Sequence, residues 1–235
     1  MKKRDKIWRI ASTTICVMIS IAAVVMLVKT KKYGRLPLAI GTVFLNFVPY
    51  FMEHILRHRM NTPIFVLTAF YMIGPMLGNC CDLYHTFPIW DKLLHIYGGV
   101  IFALVGLLLF GLLVRDDPKN HFAAVIFAIC FSMAISMVWE IIEFSGDMFF
   151  HTDMQDDFII TELNSYMLGD SLGEVGHIES IENVFVNGQE LSMGYIDIGL
   201  IDTMLDMILE SVGAILAAIF CYKKRHEIFI PITMK

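Results

Sequence analysis

The sequence of 235 residues is 57% hydrophobic and only 17% charged, with a formal net charge of −5. Soluble domains carry about 25% charged residues, and disordered chains are poor in apolar ones, so this composition fits neither class. The acidic balance provides no basic surface for nucleic acid, and we expect the partner to be the lipid bilayer. The five cysteines lack the regular spacing of a disulfide framework.

Six stretches are long and apolar enough, or nearly so, to cross a bilayer, whose core of about 30 Å needs about 20 helical residues. They are residues 8–28, 36–56, 63–80, 90–114, 121–144 and 199–222. We therefore predict an all-α membrane protein with about six transmembrane helices, forming a single polytopic membrane domain over residues 1–235.

Two of these spans have features that need interpretation. The first follows a basic N-terminus like that of a signal peptide, but it is long and ends in Lys29-Thr30-Lys31-Lys32. Because that is no small-residue cleavage site, we interpret the segment as a retained span. The third carries Gly74-Pro75, which predicts a kink in the helix. Neighbouring groups must then donate to the backbone carbonyl that the proline leaves without a hydrogen bond.

The Lys and Arg distribution predicts that the N-terminus and the C-terminus are both cytoplasmic. In this orientation thirteen basic residues, including Arg115 and Lys235, lie inside and five lie outside. The first external loop, with Lys32 and Arg35 among its basic residues, is a local exception to the rule. We expect a multi-pass protein of the bacterial cytoplasmic (inner) membrane.

The segment 145–198 is predicted to be an acidic extracytoplasmic loop, because it holds eleven acidic residues and neither Lys nor Arg. Within it, Asn187-Gly188 stands between alternating apolar positions of the stretch 184–191. That pattern predicts a small β-hairpin. We expect the loop to form a lid over the outer face of the membrane.

Polar residues at helical spacing occur in three spans, at what the topology predicts to be the outer membrane level. They are Asp91 and His95 in the fourth span, Glu140, Glu143 and Asp147 at the end of the fifth, and Asp202, Asp206 and Glu210 in the sixth. Residues three or four apart share one face of a helix. We therefore expect these residues to converge in one outward-opening cavity.

The depth of two of these acids makes them costly. At 1.5 Å per residue, Asp206 lies about 10 Å and Glu210 about 16 Å into the sixth span. A carboxylate at the centre of a membrane helix costs about 2.5–3.5 kcal/mol, so each must be protonated, paired or bound to metal. Asp91 and Asp202 lie in first turns, where helix capping explains them equally well.

Acids outnumber cationic candidates in this set, and a divalent metal ion or shared protons would close the deficit. We predict His95, Asp202 and Asp206 as metal ligands and Glu140 or Glu143 as a catalytic general base. The supporting members of the polar cluster are Asp91, Asp147 and Glu210. Structural pairing, for example of His95 with Glu140, and a proton or ion pathway remain open alternatives.

Three elements carry a resemblance to a known family: Asp-Lys-Leu-Leu-His, Trp-Glu-Ile-Ile-Glu-Phe and Asp-Thr-Met-x-Asp, between about residues 82 and 216. With this pattern the sequence resembles the YjdF-type family of uncharacterised bacterial inner-membrane proteins, which is similar in style to VanZ-like proteins. The resemblance implies a helical membrane protein with a shared polar centre. It implies no established activity.

Three functions fit these observations. The first is a metal-assisted hydrolase or transferase acting on a lipid or envelope substrate at the outer face. The second is a proton- or cation-coupled transporter with Asp206 and Glu210 as a relay. The third is a membrane scaffold or stress-response protein whose buried polar groups only hold helices together. Neither the substrate nor the oligomeric state follows from the sequence.

Overall fold

The computed structural model describes residues 2–114, 118–192 and 194–232. Arg115 and Lys235, two of the basic residues counted for the topology, lie outside these ranges. The α-helices are α1 Lys3–Lys29, α2 Leu36–Leu45, α3 Val48–Leu56, α4 Thr62–Cys80, α5 Leu83–Thr86, α6 Trp90–Leu113, α7 His121–Phe150, α8 Leu200–Cys221 and α9 Arg225–Ile228.

Five helical segments are long and apolar enough to cross a membrane: α1, α4, α6, α7 and the stretch Leu200–Ile228, which contains α8 and α9. A sixth candidate is the pair Tyr33–Leu45 and Val48–Leu56, which is bent by 44°. These helices confirm the prediction of an all-α membrane protein with about six transmembrane helices.

The predicted span 36–56 is therefore not one straight helix. Pro49 lies in the first turn of α3 and has no backbone N–H to donate to the carbonyl of Leu45, so the helical ladder breaks there. Asn46 closes the end of α2, because its side chain donates to Thr42 O at 2.8 Å and to Ser20 Oγ of α1 at 3.1 Å. The break is thus tied to a neighbouring span through a buried amide.

Short strands form four separate antiparallel pairs among the described residues. The strands are β1 His58–Met60, β2 Phe158–Ile160, β3 Leu163–Ser165, β4 Gly176–Ile178, β5 Asn183–Val186, β6 Gln189–Ser192, β7 Tyr195–Asp197 and β8 Phe229–Pro231. The pairs are β1 with β8, β2 with β7, β3 with β4, and β5 with β6. The last pair is the predicted hairpin, and Asn187 and Gly188 adopt φ angles of 52° and 81°, as a two-residue turn of type I′ requires.

The chain divides into two compact units, Met1–Ser136 with Leu209–Lys235, and Met137–Ile208. We call them the span unit and the loop unit, respectively. The span unit contains the first four predicted spans, the first part of the fifth and the last part of the sixth. The single polytopic domain stays a prediction.

An ion pair is buried within the span unit. The Arg9 guanidinium of α1 donates to the Glu53 carboxylate of α3 and to Met60 O, the latter at 3.0 Å, and its Cζ lies 3.8 Å from the centroid of the Phe65 ring. Glu53 in turn accepts from Met60 N at 2.7 Å. Every charge in this network therefore has a partner, which burial of a charge requires.

The predicted loop 145–198 begins later than the sequence suggested, because α7 continues to Phe150 instead of ending at 144. Asp147, in the last turn of α7, binds the chain that follows the helix. Its carboxylate accepts from Met154 N at 2.7 Å and from Gln155 N at 3.0 Å. The chain then runs through the three strand pairs of this unit and enters α8 after Gly199, whose φ is 88°.

Candidate functional site

The His95 imidazole lies between two carboxylates of the span unit. Its Nε2 is 3.6 Å from Asp91 Oδ1, one helical turn earlier on α6, and its Nδ1 is 3.9 Å from Glu210 Oε2 on α8. The His95 and Glu210 side chains are 6% and 5% exposed. We name this group the His95 cluster: Asp91, His95 and Glu210.

Close packing of α6 against α8 creates this cluster. A β-carbon on Gly99 would lie 2.0 Å from Glu210 O, and one on Gly213 would lie 2.1 Å from Ile96 O. Only glycine fits at these two positions, so the helix backbones approach as small residues allow in membranes. Gly99 therefore lets α8 approach α6 one turn beyond His95.

Two further side chains of the span unit adjoin the His95 cluster. Lys92 Nζ lies 3.1 Å from Asp91 Oδ2 and partly balances its charge. Ser132 Oγ of α7 lies 3.4 Å from Glu210 Oε1 and donates to Gly99 O at 3.2 Å. The sequence analysis missed Ser132, although Ser132, Ser136 and Glu140 recur every four residues along α7 and all three are buried.

A pair of tyrosines adjoins the same stretch of α6. The Tyr71 and Tyr97 ring centroids are 5.5 Å apart, and the Tyr71 hydroxyl occupies the space beside Gly98, where a β-carbon would be 2.8 Å away. Close by, Trp90 Nε1 donates to Gly74 O at 3.1 Å, next to Pro75 in α4. Tyr71 was not among the predicted site residues, and its only signal in the sequence is its position one turn before Gly74-Pro75.

The acids predicted in α7 and in the first turns of α8 belong to the loop unit. Glu140 and Glu143 are buried, and Trp139 Nε1 donates to Glu143 Oε1 at 2.8 Å. Asp202 is also buried and accepts from Asp156 N at 2.9 Å. Asp206 is fully buried. The expected single cavity that joins all eight residues stays a prediction.

Two predicted members of the polar cluster have structural partners of their own. Asp147 accepts from the returning chain at Met154 and Gln155, and Asp202 accepts from the amide of Asp156. For Asp202 this supports a structural role, in which the carboxylate accepts a hydrogen bond from the loop. Hydrogen bonds of this kind satisfy a buried carboxylate without a metal.

The predicted first external loop, which is the exception to the charge rule, has paired basic residues. Arg35 Nη1 donates to Asp82 Oδ1 at 2.5 Å and to Asn79 O at 2.6 Å, and Lys32 Nζ lies 3.6 Å from Asp82 Oδ2. The hydrogen bond from Arg35 holds the pKa of Asp82 below its usual value of 3.8. Two of the basic residues in that loop are therefore paired with an acid.

Acidic side chains of the loop unit also influence one another. Partial desolvation and, next, repulsion from Asp153, Asp197 and Asp147 raise the pKa of Asp157 above its usual value of 3.8. Asp197 has a structural role as well, since its Oδ2 accepts from Ile201 N at 2.7 Å at the start of α8. The acidic loop is thus held together by hydrogen bonds, while its neighbouring carboxylates repel one another.

Comparison with known proteins identifies the family of the chain. Among curated proteins and among solved structures, none matches it. Residues 11–227, most of the chain and all three polar motifs, match the model of a family described as predicted membrane protein. The chain therefore belongs to that membrane protein family, DUF2238.

Proposed function

We propose that this membrane protein binds a divalent metal ion at its buried acids and His95, and uses it for hydrolysis or group transfer on a lipid or envelope substrate. A surplus of buried acid carries the proposal. Arg9 is the one buried Lys or Arg among the described residues, and it is paired with Glu53. The other buried His, Asp and Glu residues of the described ranges are one histidine and five acids, namely His95, Glu140, Glu143, Asp202, Asp206 and Glu210.

This surplus of buried acids cannot consist of isolated, charged carboxylates. Buried carboxylates must be protonated, hydrogen-bonded or neutralised by a cation, since an isolated charge in a medium of low dielectric constant is very costly. Imidazole and carboxylate together are the ligands that zinc, iron and manganese accept. A bound ion would supply a nucleophilic hydroxide at neutral pH, which is the chemistry that hydrolysis of a lipid ester or phosphate needs.

The geometry of the His95 cluster supports this proposal. Zinc ligands lie about 2.0–2.2 Å from the metal, so the 3.6 Å between Asp91 Oδ1 and His95 Nε2 can be spanned by one ion. The Glu210 carboxylate on the opposite ring nitrogen is placed as an orienting partner, which metal-bound histidines almost always have. Further ligands at Asp202 and Asp206, and a general base at Glu140 or Glu143, stay predictions from the sequence.

The proposal includes an orientation in the bacterial cytoplasmic membrane, with both termini inside and the polar site facing out. It rests on the Lys and Arg distribution, and the Arg35–Asp82 pair weakens the one exception to it. The YjdF-type and VanZ-like resemblance of the three polar motifs belongs to the same proposal.

The experiment that tests metal binding is elemental analysis of the detergent-purified protein. We compare wild type with His95→Ala and Asp206→Asn, after supplementation with zinc, manganese or iron. The matched controls are His85→Ala and Asp170→Asn, which remove exposed residues of the same types. Stoichiometric metal that both site variants lose while folded, and both controls keep, supports the proposal. Folded wild type without metal contradicts it.

A second candidate function is a proton- or cation-coupled transporter, and one observation favours it. Both ring nitrogens of His95 face a carboxylate, so a proton could pass from Asp91 through the imidazole to Glu210. Proton flux into liposomes, measured with a pH-sensitive dye, tests this function. Flux that Glu210→Gln abolishes and the exposed-residue control Glu182→Gln retains would favour transport over hydrolysis.

A further inference from the structure

A cavity of about 100 Å³ lies at the other end of α6 from the His95 cluster. The last turns of α6, including Leu108 and Leu112, form one wall, and Phe229 and Pro231 of β8 form another. Three basic residues complete the lining: His58, Arg225 and His226. All of these residues belong to the span unit.

The ribbon of β1 and β8 frames this basic cavity. His58 pairs with Pro231 in that ribbon, and Ile232 N donates to Arg57 O at 2.9 Å. The ribbon thus joins the link between α3 and α4 to the chain that follows α8. It brings His58 beside Arg225 and His226, which are 167 or more positions away in the sequence.

Two of the three basic residues that line the cavity have defined contacts. Arg225 is held in place, since its Nη1 donates to Tyr222 O at 2.7 Å and its Cζ lies 4.0 Å from the centroid of the Tyr222 ring. His58 Nδ1 lies 2.8 Å from Leu56 O, which can only accept, so Nδ1 carries the hydrogen and this hydrogen bond fixes the orientation of the ring. None of the described residues that line the cavity is acidic. The lining therefore favours an anion.

The cavity lies where two candidate spans end. The span of α6 ends at Leu113, and the last span ends at Ile228. Leu112 and Leu113 are 47% and 75% exposed, so an apolar surface adjoins the basic residues at the membrane boundary. Basic pockets between membrane helices bind phospholipid head groups.

We propose that this cavity binds the phosphate group of an anionic phospholipid, whose acyl chains lie along the exposed end of α6. Guanidinium and imidazole N–H groups would donate to the phosphate oxygens, which is charge-assisted hydrogen bonding. The volume admits several water-sized groups, and the phosphate moiety is of that size. This site does not depend on the metal proposed above.

The test uses the full-length protein in detergent, titrated with phosphatidylglycerol and followed by native mass spectrometry. Loss of one basic residue near an anionic lipid is worth about fivefold in affinity, so Arg225→Gln is expected to raise the apparent Kd about fivefold. The matched control is Arg4→Gln, which removes an exposed arginine from the start of α1 and is expected to leave the Kd unchanged. Equal affinities of wild type and Arg225→Gln would overturn the proposal.

Two further arms keep the outcome clear. Inorganic phosphate that binds more tightly than phosphatidylglycerol would overturn a lipid ligand in favour of a soluble phosphate.

Arg225 also packs on Tyr222, so a second variant covers the case in which Arg225→Gln fails to fold. Gly111→Leu adds a side chain to the cavity wall at a position where a β-carbon meets no atom within 4 Å. It is expected to reduce phosphatidylglycerol binding at least fivefold, and unchanged binding would contradict the proposal.

Discussion

Gly99 of α6 lies directly against the main-chain carbonyl of Glu210 of α8, leaving no space for a side chain between the two helices. This contact brings the Glu210 carboxylate to the level of His95, one turn away on α6. The backbone contact and the His95 cluster are therefore one structural feature, and a change at Gly99 tests both.

The substitution Gly99→Ala is expected to destabilise the protein by roughly 1–3 kcal/mol, the usual cost of overpacking a close contact. Its β-carbon would lie 2.0 Å from a backbone oxygen, which cannot move aside as a flexible side chain would. SDS titration of the protein in mixed micelles measures the free energy of unfolding. Gly111→Ala on the same helix is the control, because its β-carbon would meet no atom within 4 Å. Equal stability of the two variants would show that α8 does not approach Gly99 this closely.

Breaking the buried Arg9–Glu53 pair is expected to cost more than breaking an exposed one. Arg9→Met leaves Glu53 buried without its cation, which costs roughly 3–5 kcal/mol. The matched control is Arg35→Met at the partly exposed Arg35–Asp82 pair, where the expected loss is about 0–1 kcal/mol. The same SDS titration measures both variants.

A double variant identifies the cause of the loss at Arg9. Arg9→Met combined with Glu53→Gln removes both charges while the Gln oxygen can still accept from Met60 N. We expect this double variant to recover part of the stability that Arg9→Met alone loses, because no unpaired charge remains. A double variant less stable than Arg9→Met would assign the loss to packing on Phe65 instead.

The acidic loop provides a pH-dependent prediction at Asp157, whose pKa is raised in the folded protein. The folded state binds this proton more tightly than the unfolded state, so the contribution of Asp157 to stability falls as pH rises through the raised pKa. Asp157→Asn is therefore expected to stabilise the β2–β7 pair at pH 7. The gain is expected to vanish below pH 3.8, where the carboxyl is protonated in both states.

Hydrogen exchange of the β2 and β7 amides at several pH values measures this effect. Asp170→Asn serves as the control, since it removes one charge from an exposed position of the same loop. A gain that is equal for both variants would reflect net charge alone and not the repulsion around Asp157.

Helical spacing and charge predicted much of this structure, while the individual contacts between residues distant in sequence could not be predicted. The i,i+4 pair of Asp91 and His95, the number of spans and the Asn187-Gly188 turn follow from local rules. Convergence of His95 and Glu210 was expected from the topology, but which of their atoms approach depends on how α6 and α8 cross, which no local pattern encodes. The hydrogen bond from Asp156 N to Asp202 could not be predicted, because it depends on the path of the loop. The break before Pro49 was predictable, because proline cannot continue the helical ladder.

Metal removal provides the last prediction. A ligand that binds only the folded state stabilises it by about 2.7 kcal/mol at one hundred times its Kd. We therefore expect zinc or manganese to raise the Tm of the detergent-purified wild type, and a chelator to reverse the shift. His95→Ala is expected to lose this response and His85→Ala to retain it, since only the former removes the buried imidazole. A metal-induced shift that both variants keep would place the ion elsewhere. A wild type that no metal stabilises would leave the proton relay of Asp91, His95 and Glu210 as the favoured function of the cluster.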